Sequence, residues 1–158
     1  MRSEYHNTGI INGSGQLFGK QYCAVDYTYD EAGRSLSFDI AGAYPESANV
    51  SSYVRSTSFG DSVITVRDAV KLTAEGEVTL VLMTFVKPQI TDGAVRLGDL
   101  IVTCSDNLAA ELDTEFDMCA EDDSIRTYWG GEIYRILFKS KKLTEGELCL
   151  TVRKTDLQ

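Results

Sequence analysis

Few residue groups in this chain have the types that chemistry requires. The stretch "EYHNTGIING", residues 4–13, holds the only histidine, His6. A neutral imidazole is a good borderline ligand for zinc and a proton acceptor near neutral pH. One imidazole alone makes neither a metal site nor a nucleophile triad, and on its own it reads as a surface or hydrogen-bonded histidine. Acyl transfer by a serine needs such a base beside the nucleophile, and the chain has no GxSxG elbow. Carboxylate pairs could serve glycoside hydrolysis, and Glu111, Asp113, Asp122 and Asp123 are candidates by type. Yet the chain carries 24 Asp and Glu in all, so such clusters arise as solvated loop charge. "DNLAAELDTEFD" and "AEDDS" lack the ligand spacing of an EF-hand calcium loop. "NGSGQLFG" (12–19) is glycine-rich without the lysine and the strand-to-helix setting of a phosphate loop. No catalytic residue is assigned.

Composition narrows the partners. The balance of 24 acidic against 15 basic residues gives a net charge of -9, with the basic residues scattered, which disfavours nucleic acid and anionic membranes. For the same reason, any anionic sugar site would have to draw cations from elsewhere. The longest apolar run, "VTLVLMTFV" at 78–86, is too short to span a bilayer. Cys23, Cys104, Cys119 and Cys149 form no CxxC pair and sit in strand-like apolar segments, so they are expected to be buried free thiols. That usage leans toward the cytoplasm, and a periplasmic setting stays open.

The elements that must position these groups are strands. Short segments rich in β-branched and aromatic residues alternate with polar ones and are punctuated by Gly, Asn and Asp. "QLFGKQYCAVDYTYD" (16–30) and "SLSFDIAG" (35–42) read as a hairpin across "DEAGR", with Tyr27, Tyr29, Leu36 and Phe38 as cross-strand partners. "AYPESANV" (43–50) is a connection or short helical turn, and Arg55 lies in the next strand, "SSYVRSTSF". In "SVITVRDAVKL" (62–72), Ile64, Val66, Val70 and Leu72 share a face with Asp68, whose carboxylate must find a partner there. "EVTLVLMTFVKP" (77–88) is apolar on both faces and is the best candidate for a central strand. Strands follow at 94–97, 100–104 and 109–117, then a loop at 120–132 containing Trp129, then strands at 133–141 and 147–154. About ten or more strands at this spacing point to a single all-β domain over 1–158, a two-layer antiparallel β-sandwich, with a closed barrel as the alternative.

"YHNTGIINGSGQLFG" (5–19), "YCAVDY", "DIAGAYPESANV", "VRSTSF", "ITVRDAVKL" and "GEIYRILFKSK...GELCLTV" together resemble the C-terminal part of the heparinase II/III-like polysaccharide lyases, over nearly the whole chain. The resemblance implies a β-sandwich joined to an upstream α/α toroid, with a uronate-containing polysaccharide cleaved by β-elimination between them. It implies that His6, in a motif similar to Tyr5-His6-Asn7, is one ligand of a structural zinc. The other two, a histidine and an aspartate, would lie in an upstream Gly-His-x-His-x-Asp segment that has no counterpart here. Zinc is then expected in the intact parent and not on this chain alone, with Tyr5, Asn7 and Arg55 lining the substrate cleft. The chain would be inactive by itself. The alternative is a non-catalytic carbohydrate-binding or structural sandwich module, with Trp129 and tyrosines stacking on sugar rings.

Overall fold

The computed structural model describes residues 3–91, 93–114, 116, 127 and 132–155. Twelve strands are present among them: β1 (Gly9–Ile11), β2 (Val25–Asp30), β3 (Ser35–Asp39), β4 (Val50–Phe59), β5 (Val63–Gly76), β6 (Val78–Thr84), β7 (Gln89–Thr91), β8 (Ala94–Leu97), β9 (Leu100–Cys104), β10 (Leu108–Leu112), β11 (Tyr134–Ser140) and β12 (Leu143–Lys154). They form two antiparallel sheets, one of four strands in the order β1-β6-β11-β10 and one of eight in the order β2-β3-β4-β5-β12-β9-β8-β7. The expected all-β sandwich is therefore the fold.

Period-two alternation builds it. In β5, Asp68, Val70 and Leu72 are buried while Arg67, Ala69 and Lys71 are exposed, and Leu148 and Leu150 of the neighbouring β12 repeat the pattern. The core joins these side chains, with Tyr53, Val95, Leu97 and Val102, to Ile11, Val78, Leu80, Leu108, Ile136 and Phe138 of the smaller sheet. Each fully buried side chain of this kind contributes about 1.5–3 kcal/mol over leaving it in water. The outer face of the large sheet carries cross-strand ion pairs, Arg67–Glu147 and Lys71–Glu145, with more than half of each side chain in solvent. Such pairs contribute at most about 1 kcal/mol each.

Several sequence expectations hold closely. β8 and β9 occupy the expected spans, and Gly98 (φ 63°) supplies the left-handed residue of the tight link between them. β6 is an interior strand between β1 and β11, with Val78 and Leu80 in the core and Val81 buried on the other face at 3% exposure. The 43–50 connection contains a short 3₁₀ turn, Glu46–Ala48, which follows another at Ala41–Ala43.

Others need correcting. Residues 16–24 are not strand: Gly19 at φ 140° breaks the extended path, and the Leu17 amide bonds to the Ala43 carbonyl instead of to a ladder partner. Tyr29 does pair with Leu36, but β2 is an edge strand, so Tyr27 and Tyr29 stand 67% and 59% exposed. The strand expected at 109–117 is Leu108–Leu112. The cysteines are not buried as expected: Cys23 is exposed because it precedes β2 in irregular chain, and Cys104 and Cys149 are half-buried free thiols. Burial still raises the Cys104 thiol pKa. Cys119, Asp122, Asp123 and Trp129 lie outside the described residues.

Candidate functional site

His6 sits in a tight crossing between the first 3₁₀ turn, Ser3–Tyr5, and β1. Its amide donates to the Ser3 carbonyl at 3.0 Å, and its carbonyl accepts from the Thr8 amide at 2.8 Å. That turn leaves both His6 and Asn7 exposed, with Tyr5 half-buried beside them. The segment extends the edge of the four-stranded sheet: the Thr8 carbonyl accepts from the Val81 amide at 2.9 Å, and Asn7 Oδ1 accepts from the Met83 amide at 2.8 Å.

Below this segment the eight-stranded sheet holds a charged pair. Arg55 on β4 stands opposite Asp68 on β5 in the strand register, both on the core side. Asp68 is 0% exposed and the Arg55 side chain 13% exposed. Arg55 Nε donates to Asp68 Oδ1 at 2.6 Å and Nη2 to Oδ2 at 2.7 Å, the two-pronged geometry that suits a guanidinium best. Nη1 donates to the Asn7 carbonyl at 2.7 Å, and Nη2 also reaches the Tyr53 hydroxyl at 3.2 Å. Burial, the largest single influence, works against the guanidinium's charge, but the Asp68 hydrogen bonds and the electrostatic influence of Tyr53, Asp68 and Tyr44 together outweigh it and raise the Arg55 pKa.

Two tyrosines complete the support. Tyr44 stacks on Tyr53 with ring centroids 5.8 Å apart, and its hydroxyl donates to the Gly9 carbonyl at 2.7 Å. Burial pushes the Tyr44 phenol up to about 12. Burial also raises Tyr53 well above the ordinary phenol range, with the nearby Asp68 charge acting in the same direction. Both hydroxyls therefore stay protonated and neutral below pH 10.

On the other side of His6, Arg135 of β11 holds the 3₁₀ turn. Its Nε donates to Asp113 Oδ2 at 2.9 Å and its Nη1 to the Glu4 carbonyl at 3.3 Å. Its guanidinium lies 4.5 Å from the Phe116 ring centroid and 5.9 Å from that of Tyr5. The two rings meet each other at 5.5 Å. Tyr5 is thus fixed in an aromatic and cationic cluster.

The structure therefore gathers the four residues singled out in the sequence, Tyr5, His6, Asn7 and Arg55, along one short path. Arg55 reaches the solvent-facing edge through Asn7, since its guanidinium is engaged by Asp68, Tyr53 and the Asn7 carbonyl. Asp68 had been singled out only as a carboxylate in need of a partner, and Arg135 not at all. The signal for Asp68 was an aspartate on the apolar rhythm of β5 in "VRDAV", whereas Arg135 in "IYRILF" alternates with the core residues Ile136 and Phe138 and carried no such signal. Among the described residues no group of three or more His, Cys, Asp or Glu is placed to hold a metal ion. These residues alone do not fit zinc, and a site that used His6 would need donors from outside them. Glu111 pairs with Lys139 and Asp113 with Arg135, which leaves neither arranged as half of an acid and base couple.

No family model and no curated protein matches the chain. Solved structures do. The chain is similar to a mutant of heparan sulfate lyase HepC from Pedobacter heparinus, with a TM-score of 0.67 and 15% identity over 98% of this chain and 25% of that one. It is equally similar to a heparinase III gene product with methylated lysines, at a TM-score of 0.67 and 14% identity over 99% of this chain and 24% of that one. The unmutated HepC matches at a TM-score of 0.61. This chain spans about a quarter of the length of each, and what is shared is the fold of that quarter. The family resemblance read from the sequence motifs thus has its counterpart in three dimensions. No helix among the described residues is long and apolar enough to cross a membrane.

Proposed function

We propose that this chain is the C-terminal β-sandwich of a heparinase II/III-like polysaccharide lyase, forming one wall of the cleft in which a uronate-containing polysaccharide is cleaved by β-elimination. The observation that carries the reading is the fold likeness to heparan sulfate lyase and heparinase III over 98–99% of this chain. β-Elimination removes the proton at C5 of the uronate, develops negative charge on its carboxylate, and expels the oxygen at C4. It therefore needs both a base and a group that neutralises the carboxylate. In this reading both come from an upstream α/α toroid and the early part of the sandwich, and this chain contributes the exposed His6–Asn7 edge, with Tyr5 beside it and Arg55 behind Asn7. The isolated chain is then inactive. His6 is one zinc ligand, joined by upstream donors in the intact polypeptide.

The test uses the intact polypeptide, assayed for zinc by elemental analysis and for release of unsaturated uronate from a panel of uronate polymers. Stoichiometric zinc that is lost in His6→Ala, together with turnover of at least one polymer, is the expected result. Absence of turnover across the panel, with zinc absent or indifferent to the substitution, refutes the reading. A second reading, a carbohydrate-binding sandwich without catalysis, is favoured by one observation, the exposed ring faces of Tyr27 and Tyr29 on edge strand β2. Binding of a neutral oligosaccharide by this chain, abolished in Tyr27→Ser/Tyr29→Ser, would support it.

A further inference from the structure

His6 is an exposed residue in a segment that is otherwise held tightly, and the restraint comes from both sheets. On its C-terminal side the Asn7 carbonyl accepts from Arg55 Nη1 at 2.7 Å, and Arg55 belongs to the eight-stranded sheet. On its N-terminal side the Glu4 carbonyl accepts from Arg135 Nη1 at 3.3 Å, and Arg135 belongs to the four-stranded sheet. Each arginine is itself held by an aspartate, Asp68 at 2.6 and 2.7 Å and Asp113 at 2.9 Å. Both pairs are largely out of solvent, with side-chain exposures of 13% and 0% for Arg55 and Asp68 and of 18% and 12% for Arg135 and Asp113.

We infer that two arginine–aspartate clamps, one from each sheet, bracket His6 by its flanking carbonyls and fix the direction in which its imidazole is presented. Arg55, Asp68, Arg135 and Asp113 are then positioning residues. The physical case is one of economy of restraint: a ligand or base must be held in a narrow range of geometry, and an exposed turn of a few residues is mobile unless anchored at both ends. An arginine is suited to the task because its planar fork can hold a carboxylate with one edge and a backbone carbonyl with another. Each pair lies within its own sheet, and a pair serving only as a cross-strand tie would not need its further contact to a carbonyl beside His6. The use made of His6 rests on the function proposed above, whereas its presentation does not.

The test is heteronuclear NMR on this chain, in which the single histidine gives a single imidazole. Two double variants, Arg55→Met/Asp68→Leu and Arg135→Met/Asp113→Leu, remove each clamp without leaving a buried charge unpaired, so the fold is retained. The readouts are imidazole mobility from ring relaxation and amide hydrogen exchange at Thr8 and Met83, with Val95 and Val102 on β8 and β9 as distant controls. The expected result in both variants is a more mobile ring and exchange at Thr8 and Met83 faster by about tenfold or more, the factor that a charge-assisted hydrogen bond carries. Val95 and Val102 should stay unchanged. Equal acceleration at all four amides, or none at Thr8 and Met83, overturns the clamps, and a response in one variant alone overturns the two-sided assignment. Zinc does not enter these readouts, so failure of the lyase reading and failure of the clamps are distinguishable.

Discussion

The Arg55–Asp68 pair allows a quantitative test of how charge is accommodated in this sandwich. Replacing Asp68 by leucine leaves a guanidinium that is 13% exposed without its counter-ion. Replacing Arg55 by methionine leaves a carboxylate that is 0% exposed. Breaking a buried pair from either side costs about 3–5 kcal/mol, because the remaining charge is desolvated and unpaired. That is a large share of the roughly 5–15 kcal/mol by which a domain is stable. With both replaced no charge remains buried, the Asn7 carbonyl can turn to water, and the one orphaned group is the buried Tyr53 hydroxyl that had met Arg55 Nη2. An unsatisfied group of that kind costs about 1–3 kcal/mol, so the double variant should be more stable than either single one. The assay is urea unfolding of all four proteins, with stability taken from midpoints at unchanged slope. Single substitutions that cost less than about 1 kcal/mol, or costs that simply add in the double variant, would refute the claim that the pair is a mutually dependent buried unit.

Two further outcomes follow from the same region. The Tyr44 phenol, ordinarily near 10, is pushed up to about 12 by burial, so above pH 10 the unfolded chain loses a proton that the folded chain keeps. Its stabilising contribution is fully present below pH 10 and falls by about 3 kcal/mol as pH rises to 12; Tyr53 shifts the same way. Urea midpoints measured across that range should drop steeply, and Tyr44→Phe should flatten the drop. At Gly9, an added Cβ would lie 2.5 Å from Tyr53 Oη and 2.9 Å from its Cε1. Tyr53 is pinned by stacking and by Arg55, so Gly9→Ala should cost about 1–3 kcal/mol in the same assay. Gly42→Ala, which meets nothing within 4 Å, should change stability by less than about 0.5 kcal/mol.

The fold was legible because alternation survives in most strands. β8, β9 and the Asp68, Val70 and Leu72 part of the inward row of β5 follow directly from the placement of apolar residues, whereas Ile64, expected in the same row, is 41% exposed and Val66 half-buried. The site was legible only in pieces. The same alternation placed Asp68 on the apolar face of β5, yet the register that sets it opposite Arg55 depends on which strands are neighbours, and that is a property of the whole sheet. Arg135 escaped notice because a single arginine in "IYRILF" looks like the solvent side of a strand until Tyr5 and Phe116 are seen to cover it. Residues 16–24 were misread for a local reason. Their aromatic and β-branched content suits a strand, but Gly19 takes a left-handed conformation that a strand does not use, and composition carries no sign of φ.

The same contacts bear on how an acidic polymer could be handled. The chain carries a net charge of -9, and the two arginines that hold the His6 segment are each matched by an aspartate. Their guanidinium groups already donate to Asp68, Asp113 and the two backbone carbonyls, so a uronate carboxylate near His6 would meet a locally neutral surface. A cation that is paired and hydrogen-bonded is poorly placed to recruit a second anion, because the first carboxylate must be displaced or shared. In the proposed lyase, attraction and charge neutralisation therefore belong to the opposing wall of the cleft, and the sandwich supplies a rigid edge that does not compete for the substrate's charge. This division of labour requires the chain alone to show no measurable, salt-sensitive affinity for a uronate polymer at low ionic strength, where any exposed basic patch would reveal itself. Tight binding that weakens with added salt would place unpaired cations on this surface and overturn the division.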